Sequence, residues 1–178
     1  MELELRPLKL SDKEAFEEGL KLFSDMEPHW YSFLWEEGMS YEKYLELLED
    51  FFHGRNLKEG FVPDSFLYAF WEGKIVGRSS IRHELNEFLL NFGGHIGYAV
   101  AIPYRQRGFA SEILKQSLEY SRDILKLDKV LLTCDEDNIG SIKTIIKNGG
   151  VFENKVLNAN KPVHTNRYWI NLNERAAI

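Results

Sequence analysis

The chain has 178 residues, 44% hydrophobic and 13% aromatic with 5 prolines, a balance that fits one folded globular domain and excludes a disordered or fibrous chain. Its 28 acidic residues outweigh 22 basic ones, and the net charge of -6 argues against a general nucleic-acid binder, because phosphate affinity needs a broad basic face. One cysteine, Cys134, leaves no internal disulfide and no cysteine metal cluster, and points to a reducing, cytoplasmic compartment.

The opening MELELRPLKL has neither the basic start nor the apolar run of a secretory signal, and no stretch approaches the roughly 18 apolar residues of a membrane span. Leu3 to Leu8 alternates as a short strand does, and Ser11-Asp12 followed by Glu14 predicts a helix start with acidic residues in its first turn. From Met26 to Gly54 the chain is dense in aromatics, among them Trp30, Tyr31, Phe33, Trp35, Tyr41, Tyr44, Phe51 and Phe52. Tyr44, Leu45, Leu48 and Phe52 recur at helical spacing, which predicts a helix over roughly 40–52 and assigns most of these rings to the core.

Two β-rich runs in SFLYAFWEGKIVGRSSIRHEL flank Glu72-Gly73, where glycine supplies the positive φ of a tight hairpin turn. His95 to Ile102 reads as a further strand. The next segment places Ile113, Leu114, Leu118, Ser121 and Leu125 on one helical face, and Lys129 to Cys134 is a nearly all-apolar strand, completing a βαβ unit. Asp137 or Asn138 caps the next helix, striped by Ile142, Ile145 and Ile146, and Gly149-Gly150 ends it. Strands follow at Val151 to Leu157 and, beyond NANKP, at Thr165 to Leu172. The whole predicts an α+β fold with a mixed sheet in a single domain, residues 1–178.

One junction stands out in this acidic chain. PYRQRGFASEIL places Arg105, Arg107 and Gly108 between a strand and a crossover helix. Amide groups at a helix N-terminus lack intrahelical partners, and the helix dipole favours negative charge there. Gly108 and Ala110 keep bulk away from an approaching phosphate, and the arginines can add charge-assisted contacts. Solvated arginines beside a turn glycine are the plainer alternative. Neither the G-x-x-x-x-G-K-[ST] loop of nucleoside triphosphatases nor the G-x-G-x-x-G turn of dinucleotide folds is present.

RQRGFA (Arg105 to Ala110) resembles the [RQ]-x-x-G-x-[GA] motif of the GCN5-related N-acetyltransferases. DNIGSIKTIIKNGGVF is similar to that family's N-x-x-[AS] helix, through Asn138, Ser141, Gly149 or Gly150, and Phe152. The order of predicted elements matches the family over nearly the whole chain. HIGYAVAIPYRQRGFA, TCDEDNIGSIKTIIKNGG and RYWI further resemble a bacterial subgroup of predicted acetyltransferases.

The resemblance implies the acyl-CoA N-acyltransferase fold: a mostly antiparallel sheet whose central parallel strand pair splays apart, flanked by helices. Acetyl-CoA, the acyl-donor cosubstrate, is then expected between His95 to Ile102 and Lys129 to Cys134. Its pantetheine would pair with backbone at Tyr98 and Val100. Its diphosphate would sit on amides of Arg105, Gln106, Arg107, Gly108, Phe109, Ala110 and Ser111, with Asn138 and Ser141 near the thioester end. A plain helix cap and a solvent-facing serine are the competing readings for the last two.

Chemistry requires a neutral amine, and an alkyl amine with pKa near 10 must first lose a proton. The resemblance places a tyrosine acid at position 145 and, in some relatives, a glutamate base at 133; this chain has Ile145 and Thr133. His95 is the first candidate base, against a histidine that merely fixes a strand end, and Glu84 is the second. Tyr98 could orient a group or return a proton to the leaving thiolate, although a packed strand tyrosine is the simpler reading. Asp135, Glu136 and Asp137 read as a capped, solvated loop rather than a metal cluster, since direct attack on a thioester needs no metal.

The expected activity is transfer of acetyl from acetyl-CoA to a small-molecule or peptide amine. The alternative is an acyl-CoA-binding sensor with little turnover. No metal, nucleic acid or membrane partner is expected, and a homodimer is compatible with the reading.

Overall fold

The computed structural model describes residues 2–24, 31–157 and 162–173. Strand β1 (Glu4–Arg6) leads through a 3-10 turn into helix α1 (Lys13–Leu22). Asp12 makes no side-chain cap on α1. Its carboxylate instead takes the Lys9 N–H (2.7 Å) and both ends of the Arg6 guanidinium (2.6 and 3.0 Å), tying strand to helix. Helix α2 (Tyr41–Phe52) is capped by Ser40, whose hydroxyl accepts from Lys43 N–H at 3.1 Å.

Strands β2 (Asp64–Trp71) and β3 (Lys74–Arg82) form the expected hairpin, with Glu72 and Gly73 at φ 49° and 75° in its turn. Strand β4 (Ile96–Val100) closes the first sheet, whose order β1-β2-β3-β4 is antiparallel throughout. The aromatic cluster lies on one face of it, where Phe16, Tyr31, Tyr41, Tyr44 and Phe51 pack against Phe66, Tyr68 and Phe70. Hydroxyls inside this cluster find partners: Tyr44 and Tyr68 join at 2.9 Å, and Tyr31 donates to Phe16 O at 3.0 Å. Met26 and Trp30 of the predicted aromatic stretch lie outside the described residues.

Helix α3 (Phe109–Asp123) covers the opposite face of the same sheet. It buries Ile113 and Leu114 completely, each contributing about 1.5–3 kcal/mol, and Ser117 donates to the Ser79 hydroxyl at 2.8 Å. Strand β5 (Lys129–Asp135), helix α4 (Ile139–Lys147) and strands β6 (Val151–Leu157) and β7 (His164–Asn171) complete the described chain. They build a second antiparallel sheet of order β5-β7-β6.

The stripe on α4 is narrower than its spacing predicts: Ile145 is 1% exposed and Ile142 half-buried, but Ile146 is 55% exposed. The sheet parts at the expected splayed strand pair, giving two sheets. β4 and β5 neighbour each other without forming a ladder, which leaves a gap between two strand edges. Residues 158–161 of NANKP lie outside the described residues. Among the described residues, no helix is long and apolar enough to cross a membrane.

Candidate active site

The pairing pattern fixes what each strand presents to the gap. Ala101 N–H bonds Val76 O (3.0 Å) and Arg82 N–H bonds His95 O (2.8 Å). Backbone groups alternate along an antiparallel strand, so residues 95, 97, 99 and 101 face β3, while Ile96, Tyr98 and Val100 point their N–H and C=O groups away from it. On β5, Leu172 N–H bonds Asp128 O (2.8 Å) and Glu136 N–H bonds His164 O (2.9 Å), so Leu131, Thr133 and Asp135 face the open edge. An extended polar chain lying in the gap meets backbone donors and acceptors on both sides. Tyr98 and Val100, the residues expected to pair with pantetheine, are among those whose backbone groups face the gap.

One end of the gap is held shut. His95 N–H donates to Leu131 O at 2.7 Å, and Leu131 N–H donates to His95 Nδ1 at 2.9 Å. Before it runs a π-helical turn (Leu89–Gly93), tied down by Thr133, whose hydroxyl donates to Phe92 O at 2.7 Å. Gly94 has φ 64° and lies so close that an added Cβ would sit 2.7 Å from Leu131 O. With Nδ1 accepting a backbone N–H, the ring proton of neutral His95 resides on Nε2. Burial, helped by the nearby Arg82 charge, pushes its pKa down to about 4. This bonding weighs against His95 as the base and makes it a strand-end clamp.

At the other end, Ile102–Tyr104 form a 3-10 turn and Gly108 takes the left-handed conformation (φ 85°) immediately before α3. The first intrahelical hydrogen bond is Glu112 N–H to Gly108 O, so the amides of Phe109, Ala110 and Ser111 point out of the helix end. Gln106, also at positive φ (60°), and Arg105 shape the approach. Both arginines are exposed, and each also engages the fold. Arg105 Nε donates to Val100 O at 3.1 Å, and the Arg107 guanidinium lies over Trp71 (4.8 Å), Phe109 (5.3 Å) and Tyr104 (5.6 Å). Phe109 itself is 1% exposed, so its contribution to the cradle is an amide and a floor.

Asn138 caps α4: its Oδ1 accepts from Ser141 N–H at 3.1 Å, which commits that atom to the helix. The Ser141 hydroxyl, with that of Thr144, opposes the effect of burial on Tyr98, whose phenol is nevertheless pushed up to about 12. Tyr98 Oη is buried and, despite those neighbours, makes no hydrogen bond among the described residues. Glu84 lies exposed in the bend after β3 and makes no hydrogen bond or ion pair among the described residues. Sequence reasoning overlooked a buried polar group of Asp64, Ser80 and Arg82 on the α1/α2 face of the first sheet. Its signal was there: an aspartate opening the mostly apolar β2 and an arginine closing β3.

A family model described as the acetyltransferase (GNAT) domain matches residues 2–151. The chain belongs to the GNAT acetyltransferase family. It is accordingly an acetyl-CoA-dependent acetyltransferase. No curated protein matches it significantly. Its fold is similar to a ribosomal-protein-S5-alanine acetyltransferase from Vibrio fischeri (TM-score 0.67, 17% identity, covering 98% of this chain and 95% of that one). It is also similar to a GNAT acetyltransferase from Streptococcus pneumoniae (TM-score 0.63, 18% identity, 96% and 99% covered). A third similar structure is spermidine N-acetyltransferase from Vibrio cholerae in complex with CoA and spermine (TM-score 0.59, 20% identity, 96% and 95% covered). Among the described residues, no group of three or more metal-ligating side chains converges.

Proposed function

We propose that this protein transfers acetyl from acetyl-CoA to an amine by direct attack, with the thioester lying in the gap between β4 and β5. The observation that carries the reading is the paired, ladder-free edges at Tyr98 and Val100 on one side and Thr133 and Asp135 on the other, closed at His95 and opening towards the Gly108 amides. A pantetheine arm offers amides that suit such edges, and a diphosphate suits the helix end.

The amine nitrogen bonds to the acetyl carbon and the carbon–sulfur bond breaks. The nitrogen sheds a proton, and the departing thiolate gains one. Tyr98 supplies that second proton, because its Oη is a buried hydroxyl that makes no hydrogen bond among the described residues, set between β4 and α4 beside Ser141. Ile145, where the family resemblance implies a tyrosine acid, is wholly inside the core and contributes no proton. With His95 serving as a clamp, Glu84 or water takes the amine proton. Asn138 and Ser141 act by presenting the N-terminus of α4.

Ile145 also favours a second reading, an acyl-CoA-binding module with little turnover. Both readings predict CoA binding, and steady-state release of free CoA with an amine panel separates them. Sustained amine-dependent release supports the transferase; tight binding with no release supports the module.

A further inference from the structure

The mechanism above leaves one buried ionic group unused. Asp64 of β2 is opposite Arg82 of β3, and Arg82 in turn is opposite His95, the clamp at the closed end of the gap. Directly opposed residues share a sheet face, so Asp64, Ser80 and Arg82 lie on the α1/α2 side, level with Gly97 and His95. Gly97, opposite Ser80 on β4, carries no side chain that could separate this group from the gap.

The group is incompletely bonded. Ser80 donates to Asp64 Oδ2 at 2.6 Å, but the buried Oδ1 has no hydrogen-bond partner among the described residues. Arg82 reaches Asp64 Oδ2 from Nε at 3.5 Å and Gly93 O from Nη1 at 3.5 Å, both long for a guanidinium with five donors. A donor fork beside a buried, unpartnered acceptor oxygen matches a group that presents a carbonyl and an N–H together. A second guanidinium, Arg78, lies on the same face over the Phe66 ring (4.6 Å) and adds positive charge, which disfavours a polycation.

We propose that Arg82 and Asp64 form the acceptor subsite and bind the amide adjoining the reacting amine, so that the acceptor is an amino-acyl or peptide amine and not a polyamine. The carbonyl accepts from Arg82, and the amide N–H donates to Asp64 Oδ1. This rests on the transferase reading of the gap, and buried partners of this kind discriminate strongly against analogues that cannot bond them.

The test uses the full chain with saturating acetyl-CoA and three amines, glycinamide, n-propylamine and spermidine, with rates referred to the neutral amine. Glycinamide should exceed propylamine and spermidine by at least about tenfold in kcat/KM. Arg82→Lys and Asp64→Asn should each raise the KM for glycinamide about tenfold and shrink that preference towards one, while the KM for acetyl-CoA holds. A preference for spermidine, or variants that slow all three amines equally, overturns the subsite and leaves the transferase intact. Bound CoA with no amine turned over removes both. Because the wild-type preference needs no variant, poor folding of Arg82→Lys does not shield the proposal.

Discussion

His95 and Leu131 hold each other through two hydrogen bonds, backbone to backbone at 2.7 Å and Leu131 N–H to Nδ1 at 2.9 Å. This contact joins two sheets that otherwise part between β4 and β5, so it sets where the gap begins. Replacing His95 by Phe removes the acceptor and leaves a buried Leu131 N–H unsatisfied, a loss of about 1–3 kcal/mol. Thermal or denaturant unfolding should register that loss.

The same residue predicts a pH dependence. In the folded chain its pKa is pushed down to about 4, below the ordinary 6.5, so in that window the unfolded chain binds the extra proton. Stability from neutral His95 is therefore complete above pH 6.5 and fades as pH falls towards 4. Denaturant titrations of wild type and His95→Phe at pH 7 and pH 4.5 should converge at the lower pH. Parallel curves would show that His95 does not titrate in this range.

Gly94 tests the clamp from the neighbouring position. An alanine there meets Leu131 O at 2.7 Å in a left-handed backbone, so Gly94→Ala should destabilise by more than the ~1 kcal/mol expected of positive φ alone. Calorimetric melting of this variant beside Gly73→Ala, where the added Cβ meets open space, separates the close approach from the φ cost.

Tyr98→Phe should lower kcat about 10²-fold while acetyl-CoA affinity and melting temperature hold or rise. The asymmetry follows from the unpartnered Oη: removing it forfeits no hydrogen bond and relieves a buried polar atom. Single-turnover kinetics would check it. An unchanged kcat would return Tyr98 to a packing role.

Much of this arrangement is legible in the chain itself. The hairpin is announced by Glu72-Gly73, the crossover by apolar spacing over α3, and the helix-end cradle by Gly108, because each depends on local backbone chemistry. What sequence cannot reveal depends on partners distant along the chain. His95 looks like a base until Leu131, 36 residues away, occupies its Nδ1. Nor does sequence show that Arg105 and Arg107, both exposed, also engage Val100 O and the rings of Trp71, Tyr104 and Phe109. β2 is buried on both faces except at its end, so no alternation marks which side carries Asp64. The π-helical turn at Leu89–Gly93 is an apolar stretch too short to show any period.

We propose that the amides following Gly108 hold the diphosphate of acetyl-CoA at the open end of the gap. Isothermal titration of acetyl-CoA into wild type and Gly108→Glu tests it most directly, because the new side chain sets bulk and negative charge at the α3 N-terminus. One site per wild-type chain and no measurable heat from a folded Gly108→Glu is the expected result. Equal affinity in the two proteins would contradict it.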